Sequence, residues 1–254
     1  MTSSTPTAPT TRTSATAKAL RPMLIAGVAA VAMAAFVLGR GGAGQAEPLA
    51  APARMPAATF QPPASGAVET VVLSGGCFWG VQGVFEHVRG VKQVLAGYAG
   101  GYASTASYEL VSTGTTGHAE SVKIVFDPAQ ISYGEILRIF FSVATDPTQV
   151  GGQFPDVGSQ YRTEIFYTTP AQRDEAVRYI AQLSAARVFR RPIVTRVDPL
   201  KGFFEAESYH QDYLVHHPDQ PYIATYDLPK VAALKALFPE DWRQAPLLTL
   251  AARG

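Results

Sequence analysis

The chain contains one cysteine, Cys77, and this thiol is its strongest candidate for chemistry. It follows two glycines at the point where a β-branched run (68–74) gives way to the apolar spacing of a helix. The free amide N–H groups and the dipole at a helix start favour thiolate over thiol, so this position predicts a reactive nucleophile. Phe78 and Trp79 follow at once and are expected to line an apolar pocket beside the sulfur. On position alone, a buried structural cysteine is the alternative, because free cysteines are usually buried.

Two other groups of residues could form a catalytic or a metal-binding site. His118 and Glu120 are two residues apart, so on a strand they would share a face and could form a Cys-His-acid hydrolase or acyltransferase with Cys77. Glu207 with His210, or the pair at 216–217, could bind a metal ion, but no second cysteine is present to complete such a site. We therefore predict no metal centre and interpret these residues as a solvated helix end.

The sequence around Cys77 resembles a known family. The string GCFWG at 76–80 is similar to the signature of the A-type methionine sulfoxide reductases. Further blocks follow in the family's order and span about 70 to 240: GYAGGY at 97–102, SYE at 107–109, GHAE at 117–120, DP at 127–128, DPTQ at 146–149, DVGSQYR at 156–162 and FEAESYHQDYL at 204–214. Such ordered blocks are far more specific than five residues alone.

The resemblance implies a compact α+β domain that reduces the S epimer of methionine sulfoxide, free or in proteins. Cys77 would attack the sulfoxide sulfur, and Glu120 matches the family's catalytic acid. Tyr108 and Tyr161 match the tyrosines that hydrogen-bond the sulfoxide oxygen. Asp156 matches a carboxylate that supports the polar side of the site. Phe78 and Trp79 match the aromatic walls that hold the substrate methyl group.

These roles also make chemical sense. Sulfoxide oxygen leaves badly unless it is protonated, so a general acid must stand near the nucleophile. A glutamate can serve at neutral pH if burial raises its pKa. Tyrosine hydroxyls are neutral donors for an oxygen that gains negative charge. Without the resemblance, Glu120 would be interpreted as a surface strand residue and Asp156 as a turn former. The two tyrosines would be ordinary half-buried residues. A non-enzymatic envelope binding domain with a pseudo-active site is a further alternative, but it requires the loss of a catalytic residue, and none of the main ones is missing.

The chain departs from the family pattern in three places. Thr145 stands where His is usual, and Phe154 where Gly is common, which puts the shape of that loop in doubt. The region 221–227 (PYIATYD) lacks the resolving cysteines that many members carry. An internal disulfide is impossible, so we expect Cys77 to be regenerated by an external thiol, either a thioredoxin-like protein or a small thiol. We also expect no bound cofactor.

The first part of the chain differs in composition. Residues 1–46 combine a basic, acid-free start, an apolar run at 23–38 and a small-x-Ala exit, which indicates a cleaved signal peptide or an uncleaved anchor. Residues 47–67 are rich in Ala and Pro and predict a linker that buries no core. We therefore expect an exported enzyme, periplasmic or on the outer face of the cytoplasmic membrane, that touches the membrane only through an uncleaved anchor.

The remainder predicts one domain at 68–243 and a tail at 244–254. Strands are expected at 68–74, 120–127, 161–168 and 193–197, and helices from Cys77, from the capping box at Ser132, at 170–187 and at 230–237, with a long loop at 96–117. This irregular order favours an α+β fold with a central mixed sheet flanked by helices over a doubly wound sheet. The formal net charge of +1 gives no electrostatic basis for nucleic-acid binding, and we expect a monomer.

Overall fold

A computed structural model describes residues 51–63 and 68–249. The predicted signal or anchor at 1–46 lies outside these residues, as do parts of the predicted linker and the last five residues. Within the described part, no helix is both long and apolar enough to cross a bilayer.

The domain is built on one mixed sheet. Its strands follow the order β7-β6-β1-β3-β2-β8, and every neighbouring pair is antiparallel except β6 and β7, which are parallel. The strands of this sheet are β1 (Glu69–Gly75), β2 (Val91–Ala99), β3 (Ala119–Phe126), β6 (Thr163–Tyr167), β7 (Arg196–Pro199) and β8 (Phe203–Glu205), and a separate hairpin pairs β4 (Gly152–Gln153) with β5 (Asp156–Val157). The predicted α+β class with a central mixed sheet is confirmed.

Helices pack around this sheet. They are α1 (Phe78–Glu86), α2 (Tyr108–Val111), α3 (Tyr133–Ile139), α4 (Pro170–Ala185), α5 (Tyr213–His216) and α6 (Leu228–Leu237), with wider π turns at Phe140–Ala144 and Ile223–Asp227. The predicted capping box is present, because Ser132 Oγ accepts a hydrogen bond from the Glu135 N–H. Thr169 caps α4 in the same way through the Gln172 N–H.

Strand β2 corrects the prediction of a loop from residue 96 onward. The strand continues to Ala99 and pairs with both β3 and β8. The sequence pattern did not indicate this part of the strand, because it contains Gly97 and glycine is disfavoured in strands. Here glycine is required, since a Cβ at this position would collide with the backbone oxygen of Phe204 on the neighbouring strand.

The predicted linker is wrong at residues 51–63, which lie against the domain. Met55 is buried in the main core, and its backbone N–H donates to Ser142 Oγ at 2.9 Å. Its carbonyl accepts from Arg138 Nε at 2.6 Å, and the Tyr179 hydroxyl donates to the Pro56 carbonyl at 2.7 Å. Composition suggested an unpacked segment, but the polar partners of this backbone come from α3, the π turn that follows it, and α4.

The domain also extends beyond its predicted end at residue 243. The Leu247 N–H donates to the Glu86 carbonyl at 2.9 Å, and the Thr249 N–H donates to Asp212 Oδ1 at 3.0 Å. Residues 244–249 are therefore part of the folded unit and not a free tail.

Candidate active site

Cys77 stands between the end of β1 and the start of α1, as predicted. Gly76 turns the chain there with a φ of +101°, a conformation that favours glycine. The side chain of Gln153 lies so close that a Cβ at Gly76 would meet it at 2.8 Å. The thiol is only 8% exposed, and it sits in the core cluster together with Phe78. This junction places the sulfur just beyond the C-terminal end of β1, an interior strand of the sheet.

The expectation that the helix start makes Cys77 a thiolate is wrong for the free site. Burial raises the pKa of Cys77 well above its ordinary value, and the nearby carboxylates of Glu120, Asp227 and Asp156 raise it further. The backbone N–H of Trp79 acts in the opposite direction but is outweighed. A single N-terminal amide cannot compensate for a buried and acidic neighbourhood, so the resting residue is a thiol.

Glu120 projects from β3 towards the start of α1. The Phe78 N–H donates to Glu120 Oε2 at 3.0 Å, and the residue is 3% exposed. Burial raises the pKa of Glu120 to about 8, and the charges of Asp156 and Asp227 add to the effect. The carboxyl is therefore protonated at neutral pH, which is the state that a general acid requires.

The two tyrosines predicted as hydroxyl donors come from separate elements of the fold. Tyr108 begins α2 and Tyr161 ends a 3₁₀ turn at Ser159–Tyr161 that precedes β6. Burial raises the pKa of both phenols, and the charges of Glu120, Asp156 and Cys77 raise them further. Both hydroxyls are thus neutral, and they lie close enough to Cys77 and Glu120 for these groups to act on them electrostatically.

The predicted carboxylate Asp156 lies in β5, where it accepts a hydrogen bond from the Tyr222 hydroxyl. Burial raises its pKa, while this bond and the charge of Lys230 lower it. Asp156 is thus held by a residue from the C-terminal part of the domain, and its charge acts on both Cys77 and Glu120.

Aromatic rings pack together next to Cys77 in the core cluster. The Trp79 ring stacks on Tyr213 with centroids 3.9 Å apart and an interplanar angle of 12°. Its Nε1–H donates to His210 Nδ1 at 3.1 Å. Phe78 is almost fully buried and packs at 5.1 Å from His210 and 5.9 Å from Tyr98. The half-buried Trp79 can therefore contact a substrate methyl, while Phe78 forms the wall behind the site.

The residues of the rival interpretations have structural partners instead. His118 Nδ1 accepts from the Gly101 N–H at 3.2 Å, and Nε2 lies 3.0 Å from the Tyr102 carbonyl, so neither nitrogen serves Cys77. Glu207 accepts from the Tyr98 hydroxyl at 2.8 Å and from the Tyr108 N–H at 3.0 Å. Its role is to orient the start of α2, and no group of three or more metal-ligating side chains occurs among the described residues.

Sequence reasoning missed three residues of the C-terminal segment. The Tyr222 ring meets the edge of Trp79 at 6.2 Å while its hydroxyl holds Asp156. Asp227 and Lys230 form a buried ion pair at 3.0 Å. No motif pointed to these residues, because their position depends on how the π turn and α6 pack against α1.

Comparisons with known proteins agree with this geometry. The family model described as "Peptide methionine sulfoxide reductase" matches residues 69–241. The chain is 52% identical to peptide methionine sulfoxide reductase MsrA 2 of Mesorhizobium japonicum over 72% of this chain and 94% of that protein. It is 53% identical to the protein of the same name from Synechocystis sp., over 64% of this chain and 76% of the relative.

Two solved structures share the fold. Reduced Mxr1 from Saccharomyces cerevisiae is 29% identical with a TM-score of 0.57, covering 66% of this chain and 94% of that one. Methionine sulfoxide reductase A of Corynebacterium diphtheriae is 30% identical with a TM-score of 0.52, covering 67% and 88%. With the family model matched over nearly the whole described domain, the chain belongs to the peptide methionine sulfoxide reductase family.

Proposed function

We propose that this enzyme reduces methionine-S-sulfoxide, free or in proteins, with Cys77 as nucleophile and Glu120 as general acid. The observation that carries the assignment is the 3.0 Å bond from the Phe78 N–H to Glu120 Oε2, one residue beyond the cysteine. It holds a carboxyl whose pKa is about 8 at the start of the nucleophile's helix. An acid and a thiol so placed suit protonation of a sulfoxide oxygen during attack on its sulfur.

The chemistry balances as an oxygen transfer. The Cys77 sulfur attacks the sulfoxide sulfur, Glu120 protonates the oxygen, and the products are methionine and a Cys77 sulfenic acid. The substrate gains two electrons and Cys77 loses two. The hydroxyls of Tyr108 and Tyr161 would stabilise the oxygen, Asp156 would support the polar side, and Trp79 would contact the methyl group in front of Phe78.

Regeneration needs an external thiol. Two reducing equivalents convert the sulfenic acid back to thiol and water through a mixed disulfide, and the chain has no second cysteine to supply them. A thioredoxin-like protein or a small thiol would act directly on Cys77. We propose that no bound cofactor takes part.

The setting of the enzyme is proposed from its N-terminal composition. The basic start and apolar run at 1–46 support export and a role in the repair of oxidised envelope proteins by a monomeric enzyme. Fractionation of cells that express the full chain tests this location. Recovery in the cytoplasmic fraction with an intact N-terminus would contradict it.

The reaction is tested with the two epimers of methionine sulfoxide and dithiothreitol as reductant. We expect consumption of the S epimer alone and none by the Cys77→Ser variant. A hydrolase or a binding domain would yield no methionine from either epimer.

A further inference from the structure

A buried ion pair lies behind the start of α1. Asp227 is fully buried and Lys230 is 8% exposed, and Lys230 Nζ stands 3.0 Å from Asp227 Oδ1. The other oxygen, Oδ2, is buried without a hydrogen-bond partner among the described residues. Burial of such a pair costs desolvation free energy that apolar side chains would avoid. An electrostatic effect of the pair on Cys77 and Glu120 would account for a buried pair at this position.

The pair touches the helix that carries the nucleophile. Gly80 is the third residue after Cys77, and a Cβ at Gly80 would collide with the Asp227 carboxylate and lie 3.0 Å from Lys230 Nζ. Only a glycine permits this approach. The charge of Asp227 is thus in contact with the first turn of α1.

The contact has electrostatic consequences for both reacting groups. The Asp227 carboxylate raises the pKa of Cys77 and of Glu120, and Lys230 lowers the pKa of Asp227 itself, which burial raises. The titratable and charged groups around the nucleophile and the acid, from every element that packs there, are Tyr98, Tyr108, Asp156, Tyr161, Glu207, His210, Tyr222, Asp227 and Lys230. Of the carboxylates, Asp227 is the one buried behind the helix with its own cation.

On the basis of the proposed function, we propose that Asp227 and Lys230 are positioning residues with opposite effects: the Asp227 carboxylate opposes ionisation of Cys77 and Glu120 before substrate binds, and the Lys230 ammonium limits that effect. The carboxylate adds to the burial that keeps Cys77 a thiol, and the Lys230 ammonium offsets part of its charge. A thiol reacts more slowly with peroxides than a thiolate does. This protection matters in a chain that has no second cysteine to trap a sulfenic acid as a disulfide.

The test is the titration of the single thiol in the full chain, measured as the rate of iodoacetamide alkylation against pH. Asp227→Asn should lower the apparent pKa of Cys77 by about one pH unit, the scale of one unit charge acting through a protein interior. Lys230→Met should raise it, because the carboxylate then acts without its cation. Glu175→Gln, an equally buried carboxyl-to-amide change on α4, should leave it unchanged.

Opposite shifts distinguish this role from simple packing, since loosened packing would hydrate the site and move both variants in the same direction. Shifts in one direction, or none, overturn the inference. If Lys230→Met does not fold, the Asp227→Asn/Lys230→Met double variant replaces it and should titrate between wild type and Asp227→Asn. The readout needs no reductase activity, so a wild type that reduces no sulfoxide would overturn the proposed function alone.

Discussion

The backbone N–H of Phe78 donates a 3.0 Å hydrogen bond to Glu120 Oε2, which ties the acid on β3 to the start of the nucleophile's helix. The bond occupies one carboxyl oxygen, so the acidic proton is carried by Oε1. The bond therefore holds the acid next to the residue that follows the nucleophile, although the acid lies more than forty residues further along the chain.

The first prediction concerns this acid. Glu120 of the free enzyme is protonated below a pKa of about 8, so kcat/KM should fall as the pH rises through about 8. Glu120→Gln should lose roughly two orders of magnitude in kcat, the usual contribution of a general acid. Its remaining rate should not show the alkaline fall near pH 8. A near-normal rate for the variant at pH 8 would mean that the proton comes from another group, with Tyr108 or Tyr161 next.

The second prediction concerns the donor to Asp156. Tyr222→Phe removes a hydrogen bond to an ionised group, worth about 1.5 kcal/mol or roughly tenfold in kcat/KM. Tyr226→Phe is the matched control, because Tyr226 lies in the same segment and packs against Phe154 at 5.8 Å. Steady-state kinetics should show the loss for Tyr222→Phe alone. An equal loss in both variants would assign the effect to packing of the segment.

The third prediction concerns the N-terminal segment at 51–63. Met55 is buried in the main core, so Met55→Ala should lower the free energy of unfolding by about 2–3 kcal/mol. Arg54→Ala removes a neighbouring exposed side chain and should cost about 1 kcal/mol or less. Urea unfolding of both variants measures the difference. Equal stabilities would show that this segment does not contribute to the core.

Residues that lie in local sequence motifs could be predicted from the sequence, but contacts between segments that are distant along the chain could not. Cys77, Glu120 and the capping box at Ser132 were predictable because their signals are local strings with a physical meaning. Strand β2 was missed because Gly97 is explained only by the approach of β8. Asp227 was missed for a similar reason, since its partner at Gly80 lies far away along the chain.

The protonation state of Cys77 likewise could not be predicted from the local sequence. The helix start is a local feature and favours the thiolate, whereas the burial and the carboxylates that reverse this preference come from β3, β5 and the C-terminal segment. Local position predicts the nucleophile, but the sign of its pKa shift is set by tertiary packing.

The central claim, a one-cysteine oxygen transfer to Cys77, is tested most directly by a single turnover without reductant. Enzyme mixed with excess methionine-S-sulfoxide should release one methionine per Cys77 and then stop, because no second thiol is present. Dimedone should then label Cys77 as a sulfenic acid, and Cys77→Ser should release no methionine. More than one methionine per enzyme in strictly reductant-free buffer, or substantial activity in Cys77→Ser, would contradict the account.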